Sequence, residues 1–135
     1  MRVMVIVKAG KDSEAGIMPN TEIITAMGKY NEELAKAGIM LAADGLRPSS
    51  TGKRIKFTGE KRIVTDGPFT ETKELITGYW LWQVRSMDEA VEWLKRAPFG
   101  GGTEVELRQV FEPEDFGAEL RRQEEDTRAK VAAKQ

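Results

Sequence analysis

Hydrophobic positions at the start of the chain follow a strand–helix–strand pattern. The unbroken apolar run Val3–Val7 predicts a strand that is buried on both faces. After Asn20, apolar residues recur at steps of three and four, as on one face of a helix. Asn20 or Thr21 can cap that helix, and Gly38 suits the position after its last turn. A second apolar run, Ile39–Ala43, predicts the strand that completes the unit.

A second unit of the same kind lies towards the end of the chain. The alternation within Gly78–Val84 predicts a strand with its two tryptophans on one face. A capping box that begins at Ser86 opens a helix, which Pro98 ends. The last predicted strand is Thr103–Phe111, and its inward-facing side chains are Val105, Leu107 and Phe111.

A hairpin separates the two units. The short strands Arg54–Phe57 and Arg62–Val64 are joined by a turn that contains Gly59. In the first strand Ile55 and Phe57 point one way and the basic side chains point the other way. The hairpin is therefore expected to be half exposed.

This order of elements predicts an α+β fold, a ferredoxin-like split βαβ antiparallel sheet with two helices on one face. Two helices cover only one face of such a sheet, yet Val3–Val7 and Tyr79–Val84 are apolar on both faces. A second copy of the sheet is the favoured cover, so we expect a homodimer closed sheet to sheet. The hairpin or the tail is the alternative cover. Residues 1–112 are predicted to form the ferredoxin-like domain and residues 113–135 a charged C-terminal helical tail.

The composition narrows the chemistry. With 21 basic and 22 acidic residues the net charge is −1, so neither nucleic acid nor a membrane surface is an expected partner. The chain has no cysteine and no histidine, which excludes thiolate nucleophiles, disulfides and the commonest general base. Any metal would have to be a hard cation held by carboxylates and carbonyls, and we expect no metal site and no cofactor. The apolar run at the N-terminus is too short to span a membrane, which predicts a cytoplasmic protein.

The stretch Thr65–Glu74 concentrates turn-forming and charged residues just before the aromatic strand. Gly67 tolerates a positive φ, and Pro68 fixes its own φ and restricts the residue before it. The Asp66 carboxylate has two alternative roles. It either binds the backbone N–H groups of its own turn or serves a substrate as base or hydrogen-bond acceptor.

The residues around this turn resemble a known family. Asp66-Gly67-Pro68-Phe69 followed by Glu71-Thr72-Lys73-Glu74 is similar to the signature of the DGPF proteins, a branch of the YCII-related family. The resemblance extends to the first strand and to the segments Ala37–Leu41, Asp44–Leu46 and Glu104–Arg108. It implies a dimeric α+β barrel. YCII-like relatives carry a histidine–aspartate pair, which this histidine-free chain cannot form, and Asp44 aligns loosely with the acid of the second strand.

The resemblance leaves the activity open, because the wider superfamily contains isomerases, lyases, oxygenases and ligand-binding modules. In the enzyme hypothesis, Asp66 or Asp44 is the carboxylate acid/base of a cofactor-independent lyase or isomerase. Lys73 then stabilises negative charge on a small organic acid or phenolic substrate, or else pairs with a neighbouring glutamate. The predicted ligand-binding side chains are Arg47, Phe69, Glu74, Trp80 and Trp82.

The alternative is a non-catalytic module. The same pocket then senses a metabolite, or the dimer contacts a regulatory partner, since some DGPF-like proteins are encoded near extracytoplasmic-function sigma factors. Under either hypothesis we expect the site where Asp66–Glu74 meets the Trp80 strand and the turn Asp44–Arg47, away from Gly100–Gly102. Core or dimer packing is the competing role for the tryptophans, and a plain turn is the competing role for Asp44.

Overall fold

A four-stranded antiparallel sheet forms the centre of the molecule. The computed structural model describes all residues, 1–135. The sheet contains β1 (Arg2–Lys8), β2 (Met40–Gly45), β5 (Ile76–Gln83) and β6 (Val105–Gln109) in the order β2-β5-β1-β6. Strands that are adjacent in the sheet are antiparallel throughout. The predicted ferredoxin-like α+β topology is confirmed.

Two helices connect these strands in the way that the sequence predicts. Helix α2 (Thr21–Lys36) links β1 to β2, and α3 (Met87–Lys95) links β5 to β6. Asn20 Oδ1 accepts a hydrogen bond of 2.9 Å from the Ile23 N–H, which caps α2. Gly38 follows α2 with φ of 72°, the left-handed conformation that glycine adopts readily. One short helix, α1 (Lys11–Glu14), lies between β1 and α2.

Helices α2 and α3 both pack on one face of the sheet, which we call the helix-covered face. The side chains that alternate inward from β1 are Val3, Val5 and Val7. They are buried together with Trp80 and Trp82 from β5, Tyr30 and Leu34 from α2, and Ala90 from α3. Because alternate residues of a strand point to opposite faces, this core uses only half of each strand.

The opposite face of the sheet, which we call the open face, has no helix over it. It carries Met4 and Ile6 from β1, paired across the strands with Leu81 and Tyr79 of β5, and Ala42 from β2. The C-terminal helix α4 (Ala118–Lys134) has no buried residue and does not cover this face. Within one chain the open face is therefore without a partner, as the two-face pattern of β1 and β5 implies.

The hairpin forms a separate two-stranded sheet of β3 (Lys53–Thr58) and β4 (Lys61–Asp66). Every one of its strand residues is exposed, including Ile55 and Phe57 with 56% and 70% of their surface accessible. The expectation of a half-exposed hairpin was wrong, because no element of the chain packs against its apolar side. Phe111 is likewise 71% exposed, since β6 ends two residues earlier at Gln109.

The turn after the hairpin is held against the loop that follows β2. The Gly67 N–H donates to the Gly52 carbonyl at 3.0 Å, and the Phe69 N–H donates to Ser49 Oγ at 2.9 Å. Ser49 in turn donates its hydroxyl and its backbone N–H to the carboxylate of Glu14. These bonds tie α1, the loop after β2 and the turn into one polar cluster.

Gly67 is a glycine for a reason other than the predicted one. Its φ is not positive, and the Gly67–Pro68 peptide bond is cis. A Cβ at position 67 would lie 1.8 Å from the carbonyl oxygen of Ser49. No side-chain adjustment relieves such a contact, because the opposing atom belongs to the backbone.

We predict that Gly67→Ala destabilises the protein by about 2–3 kcal/mol, because the turn must separate from Ser49 to admit the methyl group. The matched control is Gly28→Ala in α2, where a Cβ meets no atom within 4 Å. The control should gain about 0.5–1 kcal/mol from its higher helix propensity. Urea denaturation of both variants measures the difference, and equal midpoints would show that the turn does not need this close approach.

Candidate functional site

An apolar cavity of about 420 Å³ lies between the helix-covered face and the start of α2. The sheet contributes residues from β1, β2 and β5, and the segment before α2 contributes Met18 and Pro19. Phe99, which follows α3, forms part of the wall and packs edge-on against Trp80 with ring centroids 6.0 Å apart. The other lining residues are Val7, Met27, Asn31, Ala43, Asp44, Gly45, Thr77, Gly78 and Tyr79.

Asn31 is the one side-chain amide in this cavity, and its orientation is fixed. Asn31 Oδ1 accepts a hydrogen bond of 2.8 Å from Trp80 Nε1. The donor side of the amide, Nδ2, makes no hydrogen bond within the chain. Since the indole N–H can only donate, it sets which end of the amide is the oxygen. The cavity therefore offers two N–H donors against apolar walls.

Asn31 is not among the site residues predicted from the sequence. The available signal was its position: it lies four residues after Met27 and three before Leu34, on the apolar stripe of α2. A polar residue on such a stripe needs a partner. Only the fold shows that this partner is the indole of Trp80, which is distant in the sequence.

Asp44 and Tyr79 meet at the edge of the cavity. They are paired across β2 and β5, and the Tyr79 hydroxyl donates to Asp44 Oδ2 at 2.8 Å. This hydrogen bond, reinforced by the negative charge of Asp44, raises the pKa of the Tyr79 phenol. By strand alternation the pair belongs to the open face, whereas Ala43 and Trp80 belong to the helix-covered face. Asp44 is the one carboxylate among the lining residues.

Asp66 lies away from the cavity, on the exposed hairpin. Its Oδ1 is 2.5 Å from Lys53 Nζ, and 74% of its side chain is accessible. It binds no backbone N–H of its own turn. Ser49 Oγ fills that role instead, because the turn is docked on the loop after β2.

The remaining predicted residues are also dispersed. Phe69 lies under the guanidinium of Arg54, at 3.9 Å from the ring centroid. Lys73 lines a separate polar cavity of about 570 Å³, beside the glycine loop that the prediction excluded. Trp82 is fully buried in the core, and Arg47 and Glu74 are exposed without an ion pair. The structure brings Asp44 and Trp80 to one cavity and does not bring the other six predicted residues to it.

Of the three segments predicted to converge, the strand of Trp80 and the turn at Asp44 line this cavity, and residues 66–74 do not. The segment 66–74 is docked through Gly67 on Ser49 and contributes no residue to the cavity beside Trp80. No group of three or more acidic side chains is close enough to hold a metal ion. None of the helices is both long and apolar enough to cross a membrane.

The chain is similar to known proteins over most of its length. The family model described as the YCII-related domain matches residues 1–114. An uncharacterized protein of Rhizobium meliloti (strain 1021) is 26% identical over 95 residues, which cover 67% of this chain and 77% of that protein. Among solved structures, the 5-chloro-2-hydroxyhydroquinone dehydrochlorinase of Burkholderia phenoliruptrix AC1100, in complex with 2,5-dihydroxybenzoquinone, aligns with a TM-score of 0.40 and 17% identity. That alignment covers 87% of this chain and all of the other.

The chain contains only two tyrosines, so the Asp44–Tyr79 pair can be tested by titration. Burial raises the pKa of Tyr30 to about 12. In a Tyr30→Phe background the remaining phenol should titrate above its ordinary pKa of 10.0. Adding Asp44→Asn should lower this pKa towards 10.0, because the phenolate no longer faces a carboxylate.

Ultraviolet absorbance of the phenolate measures both titrations, and Asp66→Asn is the matched control on the exposed hairpin. The sign for stability follows from the raised pKa. Tyr79 stabilises the folded chain fully below pH 10.0, and this contribution is lost as the pH rises through its folded pKa. An unchanged titration in Asp44→Asn would contradict the hydrogen bond.

Proposed function

The chain belongs to the YCII-related family, and we propose that it is a homodimer that binds a small molecule in the cavity beside Trp80. The observation that carries this proposal is the Asn31 amide, held by Trp80 Nε1 so that its N–H groups are free. A few polar groups against an apolar wall are typical of small-molecule sites.

The lining of the cavity defines the class of ligand. It contains no lysine and no arginine, and most of its surface is apolar. A neutral ring compound fits such walls better than a free organic acid, whose charge would lack a partner there. The Asn31 N–H groups require an acceptor on the ligand. We therefore propose an aromatic compound that carries a phenolic or carbonyl oxygen.

One observation favours catalysis as a second candidate function. Asp44 lies at the edge of the cavity on the outermost strand β2, and its carboxylate, which belongs to the open face, has the Tyr79 hydroxyl at 2.8 Å. A carboxylate within hydrogen-bond reach of the substrate can act as the general acid/base of a cofactor-independent lyase or isomerase. Asp66 and Lys73 lie outside this cavity, so the proposal gives them no step. A ligand sensor would use the same cavity without turnover.

We predict that Asn31→Asp weakens binding of phenol and acetophenone about tenfold, the loss expected when a ligand oxygen loses a donor. Aspartate still accepts from Trp80 Nε1 but donates nothing. The control is Asn20→Asp, which changes the chain's only other asparagine and keeps the α2 cap. Quenching of tryptophan fluorescence measures the affinities.

Equal weakening by both asparagine variants would indicate a general charge effect and would contradict the site. Catalysis is tested separately by following each bound compound over time. Asp44→Asn should abolish turnover if Asp44 is the acid/base group. Binding without turnover in the wild type would favour the sensor.

The open face supports the proposed homodimer. Met4, Ile6 and Leu81 place apolar side chains at its centre, and no element of the same chain covers them. Apolar sheet faces of this kind are normally buried against a partner. A second copy fits because the two faces then cover each other by symmetry.

Light scattering should therefore give twice the 15.1 kDa mass of one chain. Leu81→Lys should shift the protein towards monomer, because it places a charge inside the proposed interface. Leu120→Lys is the matched control, since Leu120 is 54% exposed on α4. A wild-type protein that stays monomeric at micromolar concentration would refute the dimer.

A further inference from the structure

A second apolar cavity lies beside the first, along the outer side of α2. Its volume is about 510 Å³. The two cavities share four lining residues, Pro19, Met27, Asn31 and Phe99. These four side chains therefore form the common wall, and the free donors of Asn31 lie on it. The remaining residues of the second cavity are Ile23, Ile24, Gly28, Pro98, Gly100 and Thr103.

The second cavity is apolar and opens to the solvent. Ile23 and Ile24 line this cavity from α2, and 42% and 50% of their surfaces remain accessible to solvent. No charged side chain lines the cavity. An aliphatic group placed there would cover exposed hydrocarbon without desolvating any charge.

Phe99 belongs to the common wall and contributes to both cavities. Its ring contacts Trp80 in the first cavity and also lines the second. It is followed by Gly100, Gly101 and Gly102, around which a Cβ would meet no atom within 4 Å.

Building on the proposed function, we propose that the two cavities form one elongated site for an aromatic ring that carries an acyl chain. The ring lies in the first cavity against Trp80, and the aliphatic chain lies in the second cavity along α2. The carbonyl that joins them lies at the common wall, where it accepts from the Asn31 amide. In this arrangement the ring and the chain contact apolar residues, and the carbonyl contacts the Asn31 amide.

The alkyl phenyl ketones test this arrangement, because they differ only in chain length. We expect affinity to rise about fourfold for each methylene added from acetophenone to hexanophenone, as each buried methylene contributes a fixed transfer free energy. The increase should level off once the second cavity is full. Quenching of tryptophan fluorescence gives each dissociation constant.

Gly28→Leu blocks the second cavity selectively. Gly28 lines only that cavity, and a Cβ there meets nothing within 4 Å, so the helix tolerates the larger side chain. In this variant we expect unchanged affinity for acetophenone and no gain with chain length. Gly28→Ala is the matched control and should keep most of the gain.

The outcomes separate this inference from the proposed function. If acetophenone binding depends on Asn31 but affinity does not rise with chain length, the elongated site is wrong and the ring site stands. A chain-length gain that survives Gly28→Leu places the chain elsewhere and also overturns the inference. If acetophenone binding does not depend on Asn31, the proposed function itself fails.

Discussion

Two helices cover one face of a four-stranded sheet, and this one-sided packing determines where the other features lie. The helix-covered face takes Val3, Val5 and both strand tryptophans into the core. The first cavity lies between the sheet and the start of α2. Met4 and Leu81 point the other way and lack a cover within the chain. The proposed ligand cavity and the proposed dimer face thus lie on opposite sides of the same strands.

The two tryptophans of β5 show how a polar atom distinguishes a site from the core. Trp82 Nε1 is buried and has no hydrogen-bond partner. Trp82 therefore contributes only hydrophobic packing, and its N–H donor is left unsatisfied. Trp80 Nε1 is satisfied by Asn31, which orients an amide beside empty space. Similar residues two positions apart therefore differ in their roles. The difference depends on which helix residue lies opposite each ring.

The Asp-Gly-Pro-Phe turn has a structural role that its charge content does not indicate. Gly67 is required because the Ser49 carbonyl lies where its Cβ would be. Ser49 then links Phe69 to Glu14, so the turn, the loop after β2 and α1 form one hydrogen-bonded cluster. Asp66 is left outside this cluster, on the hairpin with Lys53. A turn rich in carboxylates and hydroxyls thus holds chain segments together by hydrogen bonds, at a distance from the cavity.

Local pattern determined the elements of this protein, and long-range packing determined its site. Hydrophobic periodicity and the caps at Asn20 and Gly38 are local, so the sequence alone predicted α2 and its neighbouring strands. Neighbours in sequence that share a motif, such as Asp66 and Lys73, were expected to share a site. The tertiary structure separates them, because the Gly67–Ser49 contact and the Asn31–Trp80 hydrogen bond each join residues far apart in the chain. No local pattern specifies which distant groups come into contact, because that depends on how the helices and loops pack against the sheet.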